Sequence, residues 1–251
     1  MKRSVKIMLI LLSAVVLAVL VIVANVARSR SQVRGIEVAL RYGDTPQLVS
    51  RQAVIDTVLH RMPNLLQLSV NAVDRNRVAS AARRVPYLSH VSASVSVGGK
   101  VVVRAEQRRP IARLYYGSRE LYIDRDGSLF PPSPLGFCDV LVAGGDFSEP
   151  LRLDSLNAQT KAIWKLACFL DDERDYRCLI DQIFIHRDGN IIMIPKVGDH
   201  FIELGTPDDL HAKFSNLLIF YRKGMPRAGW NTYSKISLKF KGQVVCTKKN
   251  L

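Results

Sequence analysis

The sequence predicts an α+β protein in which one apolar helix precedes two folded domains. Three observations support this prediction: an apolar run near the N-terminus, a strand-helix-helix-hairpin pattern at residues 33–109, and short strands interrupted by two helices at residues 110–247. The chain has 251 residues and 48% hydrophobic content. This length is sufficient to bury a core, and the hydrophobic content excludes wholesale disorder.

The apolar run covers residues 7–24 and is interrupted only by Ser13. Extended to residue 27, it reaches the length that a bilayer core requires, so we predict a tail at residues 1–6 and a transmembrane helix at residues 7–27. A cleaved signal peptide is the alternative. It is disfavoured because the run exceeds the usual apolar core of such a peptide, and because Asn25 falls where cleavage needs a small residue.

The charges on the two sides of this run are balanced, with three basic residues before it and three within residues 28–34 after it. The free amino terminus adds one charge to the shorter side, and long domains cross membranes largely regardless of their own charge. We therefore expect the N-terminus to be cytoplasmic and the bulk of the chain to lie outside the cytoplasm.

The formal net charge of +14 is unevenly distributed. Residues 1–33 carry five basic groups and no acids, residues 34–113 carry 13 against 5, and residues 114–251 carry 18 against 17. The basic part therefore follows the predicted membrane helix, where anionic lipid head groups would attract it. An ordinary solvated basic face is the alternative. Nucleic acid is not expected, because no reader motif accompanies the charge.

The first predicted domain covers residues 33–109 in the order β-α-α-β-β. Alternating apolar residues predict a strand at 33–40. Ser50 is a good N-cap for the first helix, and Asn71 is the predicted cap of a second helix that Pro86 ends. A hairpin with a two-residue Gly-Gly turn follows. In this order the two helices must cover one face of a small sheet.

The second predicted domain covers residues 110–247, and residues 248–251 form a short tail. One of its two helices should begin near Asp154 or Ser155, and the other at the sequence Thr-Pro-Asp-Asp of residues 206–209, with Gly224 ending it. The last segment, Ile236–Cys246, reads as one amphipathic edge strand. The other predicted strands are 112–116, 121–124, 140–143, 183–186 and 191–194.

Six groups of residues form a recognisable series along the chain: Val33–Val38, Val85–Val91, Val103–Glu106 with Arg109–Ala112, Tyr122–Gly127 with Phe130, Phe201–Gly205 and Ile236–Phe240. These segments resemble the FtsQ/DivIB family of bacterial division proteins, and the likeness covers nearly the whole chain. Each motif alone is weak, but their order and spacing together are fairly specific. The chain departs from the family pattern at Ser237, where an acidic residue is common, and at Phe240, where Tyr is common.

The resemblance implies a single-pass protein of the inner membrane at the division septum, with a POTRA domain at residues 33–109 and a β domain at residues 110–247. It implies a non-enzymatic scaffold that binds bitopic FtsB-like and FtsL-like proteins and helps regulate septal peptidoglycan synthesis, with the septal peptidoglycan synthase as an indirect partner. In the family the POTRA domain is associated with recruitment, and the final strands receive the FtsB-like protein, for which β-augmentation is the physical mode.

Two surfaces are candidate sites. The first is the terminal strand, where the alternative role of its lysines is to discourage edge-to-edge aggregation. Its predicted partner-binding residues are Tyr233, Ile236, Ser237, Leu238, Lys239, Phe240, Gly242, Val244 and Cys246. The second is a basic patch that recruits an acidic partner or faces lipid, unless it is simply solvated. Its residues are Arg75, Arg77, Arg83, Arg84, Lys100 and Arg104.

The sequence gives little indication of catalysis, metal binding or disulfide bonding. The chain contains no Walker, HExxH or GxSxG motif, so no catalytic residue, metal or cofactor is expected. Asp124–Gly127 resembles the start of a calcium loop but lacks the later ligands and is assigned to a turn. The four cysteines, which contain no CxxC pair, allow up to two disulfides in three pairings, and buried free thiols are the default.

Two other functions stay open on the sequence alone. A POTRA-containing subunit of a secretion or membrane-assembly complex would share the module but not the partners, and such proteins often carry several POTRA repeats or a barrel. A membrane-tethered periplasmic hydrolase would need a cleft where an acid, a base and a nucleophile converge.

Overall fold

The computed structural model describes residues 11–21 and 31–249. The chain divides into two compact units, with the boundary between Gln107 and Arg108. The elements are α1 (residues 11–21), β1 (Gly35–Arg41), α2 (Arg51–Arg61), α3 (Arg75–Ala82), β2 (Leu88–Val95), β3 (Lys100–Gln107), β4 (Pro110–Tyr116), β5 (Arg119–Asp124), β6 (Leu129–Phe130), β7 (Leu141–Gly145), α4 (Ala158–Asp172), α5 (Arg174–Arg177), β8 (Ile180–Ile185), β9 (Ile191–Pro195), β10 (Phe201–Gly205), α6 (Leu210–Lys223), α7 (Met225–Ala228), β11 (Tyr233–Ser237) and β12 (Val245–Lys248).

Helix α1 is apolar, and its Leu and Val side chains are all more than half exposed. Within residues 11–21 and 31–249, no helix combines the length and apolar character needed to cross a membrane. The predicted span 7–27 extends on both sides of α1 into residues that lie outside the described ones.

Unit 1 is a three-stranded sheet with two helices, in the predicted order β1-α2-α3-β2-β3. The strand order is β1-β3-β2, with β1 parallel and β2 antiparallel to β3. The helices and the sheet share one apolar core, which explains why alternate strand residues and one helix stripe are apolar. Its fully buried members are Val54, Val58, Val78, Ala82, Val101 and Val103.

The helix caps of unit 1 match the prediction at α2 and correct it at α3. The Ser50 hydroxyl accepts a hydrogen bond from the Ala53 N–H at 3.1 Å, as expected of an N-cap. For α3 the cap is Asp74, whose carboxylate accepts from the N–H groups of Asn76 and Arg77. Asn71 instead lies in a separate 3-10 turn, because the chain is extended again before α3 begins.

The β2-β3 hairpin has a three-residue loop, which corrects the predicted two-residue turn. Ser96 pairs with Lys100 through the Ser96 N–H, and the Gly99 N–H closes a turn onto the Ser96 carbonyl at 3.0 Å. Gly99 has a φ of 79°. A turn followed by one left-handed glycine is the usual three-residue solution, which explains why the Gly pair is present although the turn type differs.

Unit 2 contains a nine-stranded sheet of order β12-β11-β10-β9-β8-β7-β4-β5-β6. The pairs β4-β7, β7-β8 and β10-β11 are parallel, and the remaining neighbours are antiparallel. The long helices α4 and α6 contribute apolar residues to the same core as the sheet strands. The mixed α+β class predicted from the sequence is therefore confirmed.

Both long helices of unit 2 begin later than predicted. Helix α4 starts at Ala158, after Asn157, whose side chain accepts from the Thr160 N–H at 2.8 Å. Helix α6 starts at Leu210, and the preceding Asp209 has a left-handed φ of 50° and makes no capping hydrogen bond. The Thr-Pro-Asp-Asp stretch is therefore the approach to the helix rather than its first turn. The short helices α5 and α7 were not predicted.

Candidate partner-binding surface

Strand β12 is the terminal strand of the nine-stranded sheet. It pairs on one side with β11 in antiparallel register, from Ser237 opposite Val245 to Tyr233 opposite Lys248. Within the part of the chain that the structure describes, no strand pairs with its other side. One edge of the sheet is therefore available for main-chain hydrogen bonds with another chain.

The predicted single edge strand Ile236–Cys246 is in fact two strands and a turn. The chain reverses between β11 and β12, where the Gln243 N–H donates to the Phe240 carbonyl at 3.1 Å and Gly242 takes a φ of 71°. Strand β11 is consequently interior, between β10 and β12. The alternation of apolar residues and lysines continues across the turn, so the pattern alone does not reveal the reversal.

Hydrogen bonds at the two ends of β11 indicate which main-chain groups of β12 face outwards. The Leu238 N–H donates to the Glu203 carbonyl of β10, and the Lys249 N–H donates to the Thr232 carbonyl. Because successive residues of an antiparallel strand turn their main-chain groups to alternate sides, residues 245, 247 and 249 bond inwards. We infer that Cys246 and Lys248 turn their N–H and C=O groups to the open edge, where the Lys248 carbonyl also accepts a long hydrogen bond from the Ser234 hydroxyl at 3.5 Å.

The side chains named as partner-binding divide into buried and exposed groups. Ile236, Ser237 and Leu238 are each at most 3% exposed, so their side chains belong to the core rather than to a contact surface. Phe240 is 56% exposed, and Lys239 and Gly242 are also exposed. Tyr233, Val244 and Cys246 are half-buried and pack against the core.

Glu203 was missed in the sequence and organises the charges beside this edge. Its carboxylate on β10 lies 3.9 Å from the Lys235 Nζ and 3.5 Å from the Lys239 Nζ. Burial raises the pKa of Glu203, but the neighbouring Ser237 hydroxyl and the two ammonium groups outweigh this and hold the pKa below its ordinary value. The carboxylate therefore stays ionised and keeps both lysines along the end of the sheet.

A second missed acid, Asp199, lies at the end of β12. The Lys249 Nζ donates to its carboxylate at 2.6 Å, and this hydrogen bond and charge lower the pKa of Asp199. Because Asp199 is exposed, the pair adds little stability. Neither acid lies in the C-terminal segment itself, so only the sheet pairing could have revealed them.

A family model described as FtsQ/DivIB, C-terminal related, matches residues 109–247, which is 139 of the 251 residues. The chain belongs to this FtsQ/DivIB family. The resemblance predicted from the sequence is therefore confirmed, and membership supports a role as a non-catalytic cell-division scaffold. A search of curated proteins found no match.

In this FtsQ/DivIB chain a cavity of about 340 Å³ lies beside the β11-β12 turn. Phe240 and Leu238 line it from the turn, and Lys213 and the aspartates 208 and 209 line it from the start of α6. The Lys213 Nζ donates to the carbonyls of Leu204 and Thr206, at 3.0 and 2.7 Å. Burial lowers the pKa of Lys213. The lysine thus ties α6 to the end of β10.

The six residues of the predicted basic patch do not all line one groove. Arg77 and Arg84 line a groove on the helices of unit 1, together with Arg61, which the prediction omitted. The Arg83 guanidinium donates to the Val91 carbonyl at 2.9 Å and so has a structural contact. Arg75 is exposed on α3.

The other two basic residues belong to β3. The Lys100 Nζ lies 3.7 Å from Glu37, and Arg104 donates to the Ser94 hydroxyl at 2.9 Å. Neither lines the groove that contains Arg77 and Arg84. The patch is therefore divided between the helices and the sheet of unit 1.

The reactive side chains of the FtsQ/DivIB chain are dispersed. All four cysteines are free, and Cys178 is exposed, which corrects the expectation that all the thiols are buried. Within residues 11–21 and 31–249, no three His, Cys, Asp or Glu side chains are grouped so that they could hold a metal ion. The Asp124 carboxylate instead accepts the N–H groups of Asp126 and Ser128, which confirms the turn predicted there.

Proposed function

We propose that this chain is a bitopic division scaffold whose β12 strand receives an extended segment of an FtsB-like protein by β-augmentation. The observation that carries the proposal is the open edge of β12. From the register with β11 we infer that Cys246 and Lys248 turn main-chain donors and acceptors to this edge. The exposed side chains of Phe240 and Val245 stand at the same end of the sheet and offer apolar contacts. Main-chain bonds with flanking side-chain contacts are the usual basis of strand addition.

The proposal includes the membrane anchor and the recruitment domain. The exposed apolar side chains of residues 11–21 have no cover in the described chain, which is consistent with a helix that lies in lipid across residues 7–27. The β-α-α-β-β unit would be the POTRA domain that brings the protein to the septum. Through FtsB-like and FtsL-like partners, the scaffold would act on septal peptidoglycan synthesis.

The test is co-purification of the full-length protein with FtsB-like and FtsL-like proteins of the same cell, using Cys246→Pro and Cys246→Ala. Proline removes the outward N–H of residue 246 and places its ring where an added strand would lie, while the bonds between β11 and β12 remain. We expect Cys246→Pro to reduce partner recovery at least tenfold. Cys246→Ala alters the same side chain but keeps the N–H, so its recovery should equal that of the wild type.

Equal recovery with both variants would place the partner elsewhere on the chain. Recovery of secretion components instead of division proteins would replace the proposed function. The urea midpoint of unit 2, followed by tryptophan fluorescence, must be similar for the two variants, because otherwise loss of partner could reflect unfolding.

A further inference from the structure

The helices of unit 1 form a groove of about 330 Å³ between the C-terminal end of α2 and the outer face of α3. Three exposed arginines line it: Arg61 from α2, and Arg77 and Arg84 from α3. Met62 and Ala81 provide apolar surface, and the remaining lining residues are Asn76 and Ser80. The groove is thus a cationic site with an apolar floor and two neutral polar groups.

The charges of this groove are uncompensated. No Asp or Glu lines it, and within the described residues none of its three arginines forms an ion pair. The nearest acid in the sequence is Asp74, whose carboxylate caps α3 by accepting from the N–H groups of Asn76 and Arg77 and does not line the groove. Arginine forks suit phosphate and carboxylate oxygens, so the expected ligand is an anion.

Backbone hydrogen bonds place the groove close to the point where the chain enters unit 1. The Leu65 N–H donates to the Met62 carbonyl at 3.0 Å, the Leu68 N–H to the Leu65 carbonyl at 3.3 Å, and the Val33 N–H to the Leu68 carbonyl at 3.0 Å. Three bonded steps therefore connect the α2 end of the groove to Val33. The α2 end of the groove, with Arg61 and Met62, therefore lies on the side of unit 1 where the chain enters at Val33.

The distance to the proposed anchor is short. Seven residues separate the span 7–27 from the first residue of β1, Gly35. Even fully extended, seven residues reach about 25 Å. The entry end of unit 1 would then lie near the head-group layer.

We propose that the groove formed by Arg61, Arg77 and Arg84 binds the phosphate head group of an anionic phospholipid. This inference rests on the membrane anchor of the proposed function, but not on its partner. The three guanidinium groups would hold the phosphate oxygens, and Asn76 and Ser80 would meet the polar part of the head group. Lipid is favoured over an acidic peptide because the groove lies at the anchored end of the unit.

The test uses the full chain in nanodiscs of neutral phosphatidylcholine with increasing phosphatidylglycerol, and hydrogen exchange of residues 61–84 as the readout. We compare wild type with the triple variant Arg61→Gln, Arg77→Gln, Arg84→Gln. Each basic side chain near an anionic membrane changes the affinity of the protein surface for that membrane about fivefold, so three side chains change it on the order of 100-fold. We expect protection to rise with the anionic lipid in the wild type and to be absent from the triple variant.

A matched control carries Arg34→Gln, Arg51→Gln and Arg75→Gln. It loses the same charge from the same unit, but none of these arginines lines the groove. Its protection should follow the wild type. Equal loss in both triple variants would overturn the site in favour of diffuse attraction, and a wild type without lipid-dependent protection would overturn it outright.

Two further additions identify the ligand class, each made to neutral discs. Inorganic phosphate or hexaglutamate should give no arginine-dependent protection at the concentration of anionic head groups. If hexaglutamate protects the segment as well as the lipid does, the groove binds an acidic peptide and the lipid assignment is wrong. If phosphate alone does so, the groove is a free-anion site. Partner co-purification is measured separately, so failure here leaves the proposed scaffold function standing.

Discussion

Substitution of Gly145 by Ala should destabilise unit 2 strongly. A Cβ at this position of β7 would lie 2.3 Å from the Ile185 carbonyl oxygen and 2.6 Å from the Ile185 Cγ2 on the neighbouring parallel strand β8. To reach ordinary contact the strands must separate by about 1 Å, which also stretches the hydrogen bond from the Asp146 N–H to the same oxygen. Overpacking and a weakened hydrogen bond together should cost about 3 kcal/mol.

The adjacent residue provides the control, because a Cβ on Gly144 would meet nothing within 4 Å. Gly144→Ala should therefore be neutral or slightly stabilising. Both tryptophans, Trp164 and Trp230, lie in unit 2, so their fluorescence during urea or thermal denaturation reports that unit. We expect the Tm of Gly145→Ala to fall by roughly 6–12 °C. If the two alanine variants unfold within about 0.5 kcal/mol of each other, the close approach of β7 and β8 is refuted.

Two further predictions concern buried polar groups of unit 2. Gln159→Leu should lower the free energy of unfolding by about 2–4 kcal/mol. The buried amide accepts from the Ser148 N–H at 2.7 Å and donates to two carbonyls, and leucine leaves these groups without a partner. As a control, Gln182→Leu at an exposed position should change the urea midpoint little. Burial lowers the pKa of His200, whose Nε2 lies 2.7 Å from the Tyr221 hydroxyl. As the pH falls, the unfolded chain therefore binds a proton at this histidine before the folded chain does. The free energy of unfolding should decrease below about pH 6.5, by at most about 1.4 kcal/mol per pH unit. If His200→Gln shows the same dependence of unfolding free energy on pH, this explanation is contradicted.

The sequence predicts those helices and strands that depend on neighbouring residues. It does not predict features that depend on the backbone path or on pairing with distant residues. Ser50 is the cap of α2 because a hydroxyl before an apolar helical stripe needs no distant partner. The capping of α3 is different: both Asn71 and Asp74 are suitable residues, and only the backbone between them shows that the helix starts at the second. At α6, the Pro-Asp-Asp pattern is equally good for a first turn, but Asp209 in the left-handed region delays the helix.

The strands near the C-terminus were predicted, but their pairing was not. Alternating apolar and lysine residues correctly indicate strand structure near the C-terminus, yet the same alternation runs through the turn at Gly242. It therefore cannot show that β11 is interior and that Ile236 is core. Glu203 and Arg61 were missed because their importance depends on neighbours that are distant in sequence, across a sheet in one case and a helix pair in the other.

The short length of β12 limits what main-chain bonding alone can contribute to the proposed complex. Four residues form the strand, and only Cys246 and Lys248 turn their groups outwards, which allows about four hydrogen bonds to an added strand. At a net 0.5–1.5 kcal/mol each, these give about 2–6 kcal/mol. A micromolar complex already requires about 8 kcal/mol after the losses of association. The main chain can therefore set direction and register, while the exposed Phe240 and Val245 must supply much of the remaining affinity.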